Sequence, residues 1–186
     1  MNIITHALLG WVPGQRLATH RRDALLLTGA AMAPDLDGLG VLASVADPAR
    51  GLAWFSQYHH VLAHNLWAGL AISSTVGLLA RDGWRTALWA FLFFHLHLLG
   101  DLAGARGPDG ESWPIWYLWP VEGGPALTWS GQWEINAWPN LLLTVGLLFL
   151  FFRQARDFGW SPLWYLSARA DAAFVATLRR RFPLSA

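Results

Sequence analysis

The sequence predicts an all-α, integral-membrane helical bundle of about four transmembrane helices, with a short N-terminal helix and a C-terminal amphipathic helix. Apolar residues make up 54% of the 186 residues and charged residues only 13%, which is about half the charged share of soluble domains. The apolar residues also fall into long stretches, and a helix that crosses a bilayer needs about 20 such residues. Composition and clustering together indicate that lipid is the solvent.

Each element of this bundle follows from the order of apolar stretches along the chain. A short helix over about residues 3–12 ends before Pro13-Gly14. Four candidate crossings follow, at residues 24–46, 61–80, 84–103 and 138–152. The fourth reaches full length if Arg153 extends its side chain toward the interface. The first spans only if its helix passes through or tilts around Pro34-Asp35-Leu36-Asp37-Gly38.

The C-terminal segment and the arginines predict the orientation. Residues 161–182 interleave apolar and basic side chains, which is typical of an amphipathic surface helix. We therefore divide the chain into a membrane-embedded metal-site domain, residues 1–160, and a basic helix, residues 161–186. Arginines lie before the first stretch, between the second and third, and after the fourth. With four crossings, all of them are on the same side of the membrane. The positive-inside rule assigns that side, and the C-terminus, to the cytoplasm.

The outer side then receives the connection at residues 35–58 and a loop at residues 104–137. The loop is rich in Trp, which concentrates at membrane interfaces, and its Pro and Gly predict a structured, non-helical segment. Histidines and aspartates from distant parts of the sequence reach the same outer depth. The candidate ligands are His6, Asp35, Asp37, His59, His60, His64, His97 and Asp101.

The spacing of these residues suits a shared metal site. His97 and Asp101 are four apart and so share one face of a helix. His60 and His64 have the same spacing, whereas His59 and His64 match less well. Imidazole and carboxylate beside apolar residues are costly to bury without a partner. The chain has no Cys, so the ligand types favour zinc, with manganese or iron as alternatives.

The number of candidate ligands exceeds what one tetrahedral zinc needs, so the sequence predicts one to three ions. Such centres activate a bridging water and clamp both oxygens of a phosphoryl displacement. Taken singly, His6 is typical of a capping or packing residue, His95 faces away from His97, and the Asp35–Asp37 segment is typical of a turn. Three outer-loop carboxylates are further candidates for a base, and spacing selects none of them: Glu111, Glu122 and Glu134.

Four motifs in order resemble the YdjM-like family of bacterial inner-membrane metal-dependent hydrolases. That family has an early Thr-His, a Pro-Asp-x-Asp segment, a His-Arg-x-x-Thr-His-Ser segment, and a His-x-x-x-Asp segment followed by Trp-Pro. The matches cover about the first 120 residues. They are Thr5-His6, Pro34-Asp35-Leu36-Asp37, His59-His60-Val61-Leu62-Ala63-His64-Asn65, His97-Leu98-Leu99-Gly100-Asp101 and Trp119-Pro120.

The resemblance implies a helical fold distantly similar to zinc-dependent phospholipase C and the P1-type nucleases, in which a zinc cluster hydrolyses phosphoesters. It also implies a location in the bacterial inner membrane. By this carry-over the metal ligands are His6, Asp35, His59, His64, His97 and Asp101. Asp37 and His60 take catalytic roles. The chain departs from the family where Arg is replaced by His60, Thr by Ala63 and Ser by Asn65, and the lost Arg removes a phosphate clamp.

The function expected from the sequence is a membrane-bound metal-dependent hydrolase of phosphoesters, including lipid headgroups, with its site at the outer face. Its partners would be membrane lipid and a phosphoester substrate. A net charge of +1 argues against nucleic-acid binding. Two alternatives stay open. One is a metal carrier or sensor without catalysis, and the other is a membrane scaffold whose His and Asp pairs lock helices together.

Overall fold

The computed structural model describes residues 1–107 and 110–184, with the backbone alone at Leu52. Within this part the chain is all-helical and has no strand, which confirms the all-α part of the prediction. The helices are α1 (Ile3–Leu17), α2 (Arg21–Met32), α3 (Pro48–Tyr58), α4 (Leu66–Leu79), α5 (Gly83–Gly104), α6 (Trp138–Phe158) and α7 (Ala168–Arg181). Two 3₁₀ segments cover Ala33–Val45 and Pro162–Tyr165.

Helices α1, α2 and α5 form the centre of the fold. Helix α1 starts at a side-chain cap from Asn2 to the backbone N–H of Thr5 and continues past Pro13 to Leu17, five residues beyond the predicted end. It lies very close to α2, because a Cβ built on Gly10 would lie 2.7 Å from the Cβ of Ala31. Small residues thus allow the two helix backbones to approach.

A buried carboxylate ties α2 to the turn between α4 and α5. Asp23 has no exposed surface and accepts hydrogen bonds from the backbone N–H groups of Arg81 and Asp82 at 2.9 and 3.0 Å. These N–H groups precede the first turn of α5, where backbone donors lack helical partners. Asp23 therefore fixes the start of the helix that carries His97 and Asp101.

Among the residues that the structure describes, two segments are long and apolar enough to cross a membrane: Arg21–Val45, with 25 residues, and Gly83–Gly104, with 22 residues. They correspond to the first and third predicted crossings, and the first passes through the two aspartates as 3₁₀ helix. The other two predicted crossings form helices of 14 and 21 residues, and neither is among these spans. At 1.5 Å per residue, α4 is about 21 Å long, short of the ~30 Å apolar thickness of a bilayer.

The loop between α5 and α6 is non-helical from Arg106 to Ala137 in its described residues, as predicted. It is pinned to the end of α5 by two amide side chains. Gln132 donates to the carbonyl of Asp101 at 2.8 Å, and Asn140, in the first turn of α6, donates to the carbonyl of Gly104 at 2.9 Å. A cross-loop pair, Ile115 with Leu127, adds a short bridge. The loop therefore covers the end of α5 that bears Asp101.

Replacing Gly10 with Ala should destabilise the protein by about 1–3 kcal/mol, because the new methyl group would collide with Ala31 and with the backbone of Thr28, 2.9 Å away. Gly29→Ala is the matched control, since a Cβ on Gly29 meets nothing within 4 Å. That change should leave stability unchanged or raise it by up to about 1 kcal/mol through helix propensity. Thermal unfolding of both variants in detergent measures the difference, and equal effects would contradict the close approach of α1 and α2.

Candidate metal centre

The predicted site residues come from four separate segments that meet around the C-terminal end of α5. Helix α1 supplies one histidine, the 3₁₀ segment two aspartates, the link between α3 and α4 three histidines, and α5 a histidine and an aspartate. Two groups have potential ligand atoms within 4.8 Å of one another. They are His59, His60 and His64, and His6, Asp35, His97 and Asp101.

His97 and Asp101 lie one turn apart on the same face of α5, as their spacing predicted. The Nε2 atom of His97 is 2.9 Å from Oδ2 of Asp101. The other ring nitrogen of His97, Nδ1, lies 2.7 Å from the carbonyl oxygen of Ala31. A carbonyl can only accept, so Nδ1 carries the proton and Nε2 of the neutral ring presents a lone pair.

Asp37 orients two further histidines. Its Oδ1 accepts from Nδ1 of His59 at 2.8 Å, and its Oδ2 accepts from Nδ1 of His64 at 2.9 Å and from the backbone N–H of Ala63 at 3.1 Å. A carboxylate that receives Nδ1–H fixes the tautomer of each ring and leaves Nε2 free to bind a metal. Asp37 is thus a positioning residue, and the Nε2 atoms of His59 and His64 are potential ligands.

Three acceptor atoms converge at one point. Nε2 of His64 lies 3.2 Å from Nε2 of His97 and 3.4 Å from Oδ2 of Asp101, and the third side of this triangle is the 2.9 Å from His97 to Asp101. Oδ2 of Asp101 is buried without a hydrogen-bond partner. Lone pairs that face one another repel, so this arrangement calls for a shared cation. Ligands of one tetrahedral zinc lie about 3.3 Å apart, given bonds of about 2.0–2.1 Å.

The other oxygen of Asp101 has different neighbours. Oδ1 lies 3.0 Å from Nε2 of His6 and contacts the N-terminal ammonium of Met1. The ring of His6 also stacks on His97, with centroids 3.6 Å apart. Asp35 approaches from the 3₁₀ segment, with Oδ1 3.7 Å from Nε2 of His97 and a buried, unpartnered Oδ2. These two residues extend the site beyond the first triangle.

His60 is the least constrained histidine of the cluster. Its Nε2 lies 3.8 Å from Oδ2 of Asp101, and its buried Nδ1 has no partner. The residue adopts a left-handed backbone conformation, with φ of 69°, which is unfavourable for a residue with a Cβ atom. Such strained residues concentrate at functional sites.

Burial favours the neutral form of His60. It lowers the pKa of His60 well below 6.5, with the neighbouring His64 and His59 adding to the effect. Neutral imidazole is the form that binds metal.

The local structure around His59–His64 differs from the helix that its spacing predicted. His59 ends α3, a helix that the sequence reasoning did not identify, and α4 begins only at Leu66. The amide of Asn65 explains this, because it donates to the carbonyls of Val61 and Leu62 while its oxygen caps the N–H of Ala68. A polar turn and an N-cap, rather than one helical face, gather the histidines.

A surface cavity of ≈ 320 Å³ opens beside the cluster. Its lining includes His59, His60, Glu111, Trp113 and Trp116. Spacing alone could not choose among the three loop glutamates, and only the folded loop brings Glu111 here. The other two loop glutamates, Glu122 and Glu134, do not line this cavity.

The histidines left out of the predicted site lie outside the cluster. His95 faces away from the metal centre, as expected, and its Nε2 accepts from the hydroxyl of Tyr117 at 2.8 Å because its Nδ1 donates to the carbonyl of Phe91. His20 is exposed at the start of α2. These two are natural controls for the cluster.

No family model, curated protein or solved structure matches the chain. The resemblance to the YdjM-like family therefore stays a prediction from the four motifs.

Removing a ligand should remove the metal. His64→Ala and Asp101→Ala each delete one corner of the acceptor triangle, so we expect purified protein to lose at least tenfold in metal affinity. Elemental mass spectrometry of detergent-purified protein measures bound zinc, manganese and iron. His20→Ala is the matched control and should retain the wild-type metal content. Equal metal content in all four proteins would contradict the site.

Asp37→Asn should weaken metal binding about 10–100-fold without removing a direct ligand, because an amide cannot receive Nδ1–H from both His59 and His64 on two carboxylate oxygens. Competition with a chelator measures the affinity. The control is Asp157→Asn, which changes an exposed carboxylate on α6. An unchanged affinity would mean that Asp37 does not orient the ligands.

Proposed function

We propose that this protein is a membrane-embedded, metal-dependent hydrolase of phosphoesters. The observation that carries the proposal is the triangle formed by His64 Nε2, His97 Nε2 and Asp101 Oδ2, with sides of 2.9 to 3.4 Å. These atoms are acceptors, and in an apolar interior they are stable together only around a cation. A centre that opens to a cavity can offer that cation to a substrate.

The ligand set favours zinc, with manganese or iron as alternatives, because it combines imidazole and carboxylate without thiolate. The two groups of ligand atoms leave room for one to three ions. One group consists of His6, Asp35, His97 and Asp101, and the other of His59, His60 and His64. Both groups retain unpartnered buried atoms, which are Nδ1 of His6 and Oδ2 of Asp35 in the first and Nδ1 of His60 in the second. These orphaned atoms support occupancy of the site by metal.

A bound metal would supply hydroxide at neutral pH and a positive charge for phosphoryl oxygens. The residues around it have distinct tasks. Asp37 holds His59 and His64 in the tautomer that binds metal. His60 lines the cavity and, since its pKa is lowered, contributes a hydrogen bond rather than a charge to the substrate. Glu111 lines the same cavity and is placed to take up or return a proton during ester cleavage.

The membrane assignment rests on exposed apolar side chains as well as on the two candidate spans. Helices α4, α5 and α6 expose large apolar residues that a water-soluble fold would cover. They include Leu70, Leu78, Leu88, Leu92, Leu99, Leu141, Leu142, Val145 and Phe149. We place the protein in the bacterial inner membrane, with about four crossings, a cytoplasmic C-terminus and the metal centre toward the outer face. Exposed Trp116 and Trp119 then lie at the rim, so a lipid headgroup is the substrate we favour.

A second candidate is a scaffold without catalysis. Asp37 favours it, because its carboxylate accepts hydrogen bonds from His59, Ala63 and His64, and these bonds can lock the segment that follows α3 to the 3₁₀ segment. A metal carrier would use the same ligands. Neither alternative requires the cavity beside His59 and His60.

Metal-loaded protein should hydrolyse bis(p-nitrophenyl) phosphate and phospholipid headgroups, and treatment with a chelator should abolish the activity. His60→Gln should lower kcat about 10–100-fold, since a positioned proton-transferring or hydrogen-bonding group contributes by about this factor, while metal content stays normal. Release of p-nitrophenol and of headgroup phosphate measures the two activities.

The control is His95→Gln. This half-buried histidine lies outside the cluster and is hydrogen-bonded to Tyr117, so the variant should keep full activity. A protein that binds metal, is folded and cleaves neither substrate would favour the carrier. A folded protein without metal would favour the scaffold.

A further inference from the structure

A second cavity, of ≈ 460 Å³, lies between the end of α1 and the start of α2. It is lined by Gln15, Arg16, Ala18, Thr19, His20, Arg21, Phe158 and Trp160. Gln15 is nine residues beyond His6 on α1, which corresponds to about 14 Å along the helix axis. The cavity is therefore separate from the metal centre.

The charge of this cavity is one-sided. Arg16, His20 and Arg21 line it, and the described lining residues include no Asp or Glu. Arg21 is held in place, because its guanidinium lies over the rings of Trp160 and Trp164 at 5.0 and 4.7 Å from their centroids. An arginine stacked on two aromatic rings keeps its N–H donors available at the ring edges. The cavity is thus suited to an anion.

Backbone geometry adds donors to the same place. The N-cap of α2 is His20, and its side chain makes no capping hydrogen bond. The N–H of Asp23 bonds back to the carbonyl of His20 at 3.0 Å, which leaves the N–H groups of Arg21 and Arg22 for a ligand. These first N–H groups carry the positive end of the helix dipole, which favours phosphate. By itself a helix start is unspecific, but here it faces a cavity that also contains two arginines.

A buried polar atom points to the rest of the ligand. Gln15 is only 6% exposed. Its Nε2 donates to the carbonyl of Trp160 at 2.9 Å, whereas its Oε1 is buried without a partner. An unpaired acceptor beside cationic donors suits a ligand that carries a hydroxyl next to its negative charge. Hydrogen phosphate and a phosphoglycerol headgroup both have this combination.

We propose that the cavity lined by Gln15, Arg16 and Arg21 binds a phosphate group with an adjacent hydroxyl, from a lipid headgroup or from a soluble phosphate. Trp160 lines the cavity and Trp164 contacts Arg21, and such aromatic residues concentrate at membrane interfaces. Basic pockets between helices at this depth bind anionic headgroups. The site does not depend on the proposed hydrolase activity.

The test is native mass spectrometry of the detergent-purified protein with phosphatidylglycerol and with phosphatidylcholine. Phosphatidylglycerol should bind at least about fivefold more tightly, and Arg16→Gln should remove about a fivefold preference, as expected for one arginine at a membrane surface. Arg16 is exposed, so the substitution should leave the melting temperature and metal content unchanged. Arg22→Gln is the matched control, because Arg22 is an exposed neighbour that does not line the cavity.

Competition with inorganic phosphate and glycerol 1-phosphate distinguishes the sources. Displacement of bound phosphatidylglycerol by millimolar phosphate would assign the site to a soluble phosphate, and resistance to it would assign the site to a lipid headgroup. The proposal is overturned if the two lipids bind equally, or if Arg22→Gln lowers binding as much as Arg16→Gln does. The second result would mean that the lipid binds to the basic surface in general and not to this cavity.

Discussion

The arrangement of the whole molecule depends on three acceptor atoms that meet in an apolar interior. His64, His97 and Asp101 present two lone pairs and a carboxylate oxygen to one another at 2.9 to 3.4 Å. Their protons are committed elsewhere, to Asp37 and to the carbonyl of Ala31. Met1 contacts Oδ1 of Asp101, but Oδ2 faces the two imidazole lone pairs without a partner. Buried charge that lacks such partners costs several kcal/mol, so a bound cation is the simplest way for these three atoms to be stable together.

Contacts in the rest of the fold hold these three atoms in position. Asp23 fixes the start of α5, and Gln132 and Asn140 bind the loop to its end. The 3₁₀ segment passes through both aspartates instead of continuing as a regular helix, and this brings Asp35 and Asp37 toward α5 and the histidine segment. The polar groups that interrupt the apolar stretches are therefore the ones that assemble the site.

The sequence predicted the helical class and the residues that cluster, because unpaired His and Asp beside apolar runs are conspicuous. It also predicted the shared face of His97 and Asp101, since helical spacing is a local property. It could not predict α3 or the turn that begins at His59. Hydrogen bonds of Asn65 and Asp37 shape this turn, and the spacing of the histidines does not reveal them. The neighbourhood of Glu111 depends likewise on how a non-helical loop folds over α5.

X-ray absorption spectroscopy at the zinc edge of the purified, metal-loaded protein tests the central claim most directly. The account predicts four to five nitrogen and oxygen ligands at about 2.0–2.2 Å, with imidazole scattering and no sulfur, and loss of an imidazole contribution in His64→Ala. A well-folded protein that binds no metal, or a spectrum without imidazole, would contradict it.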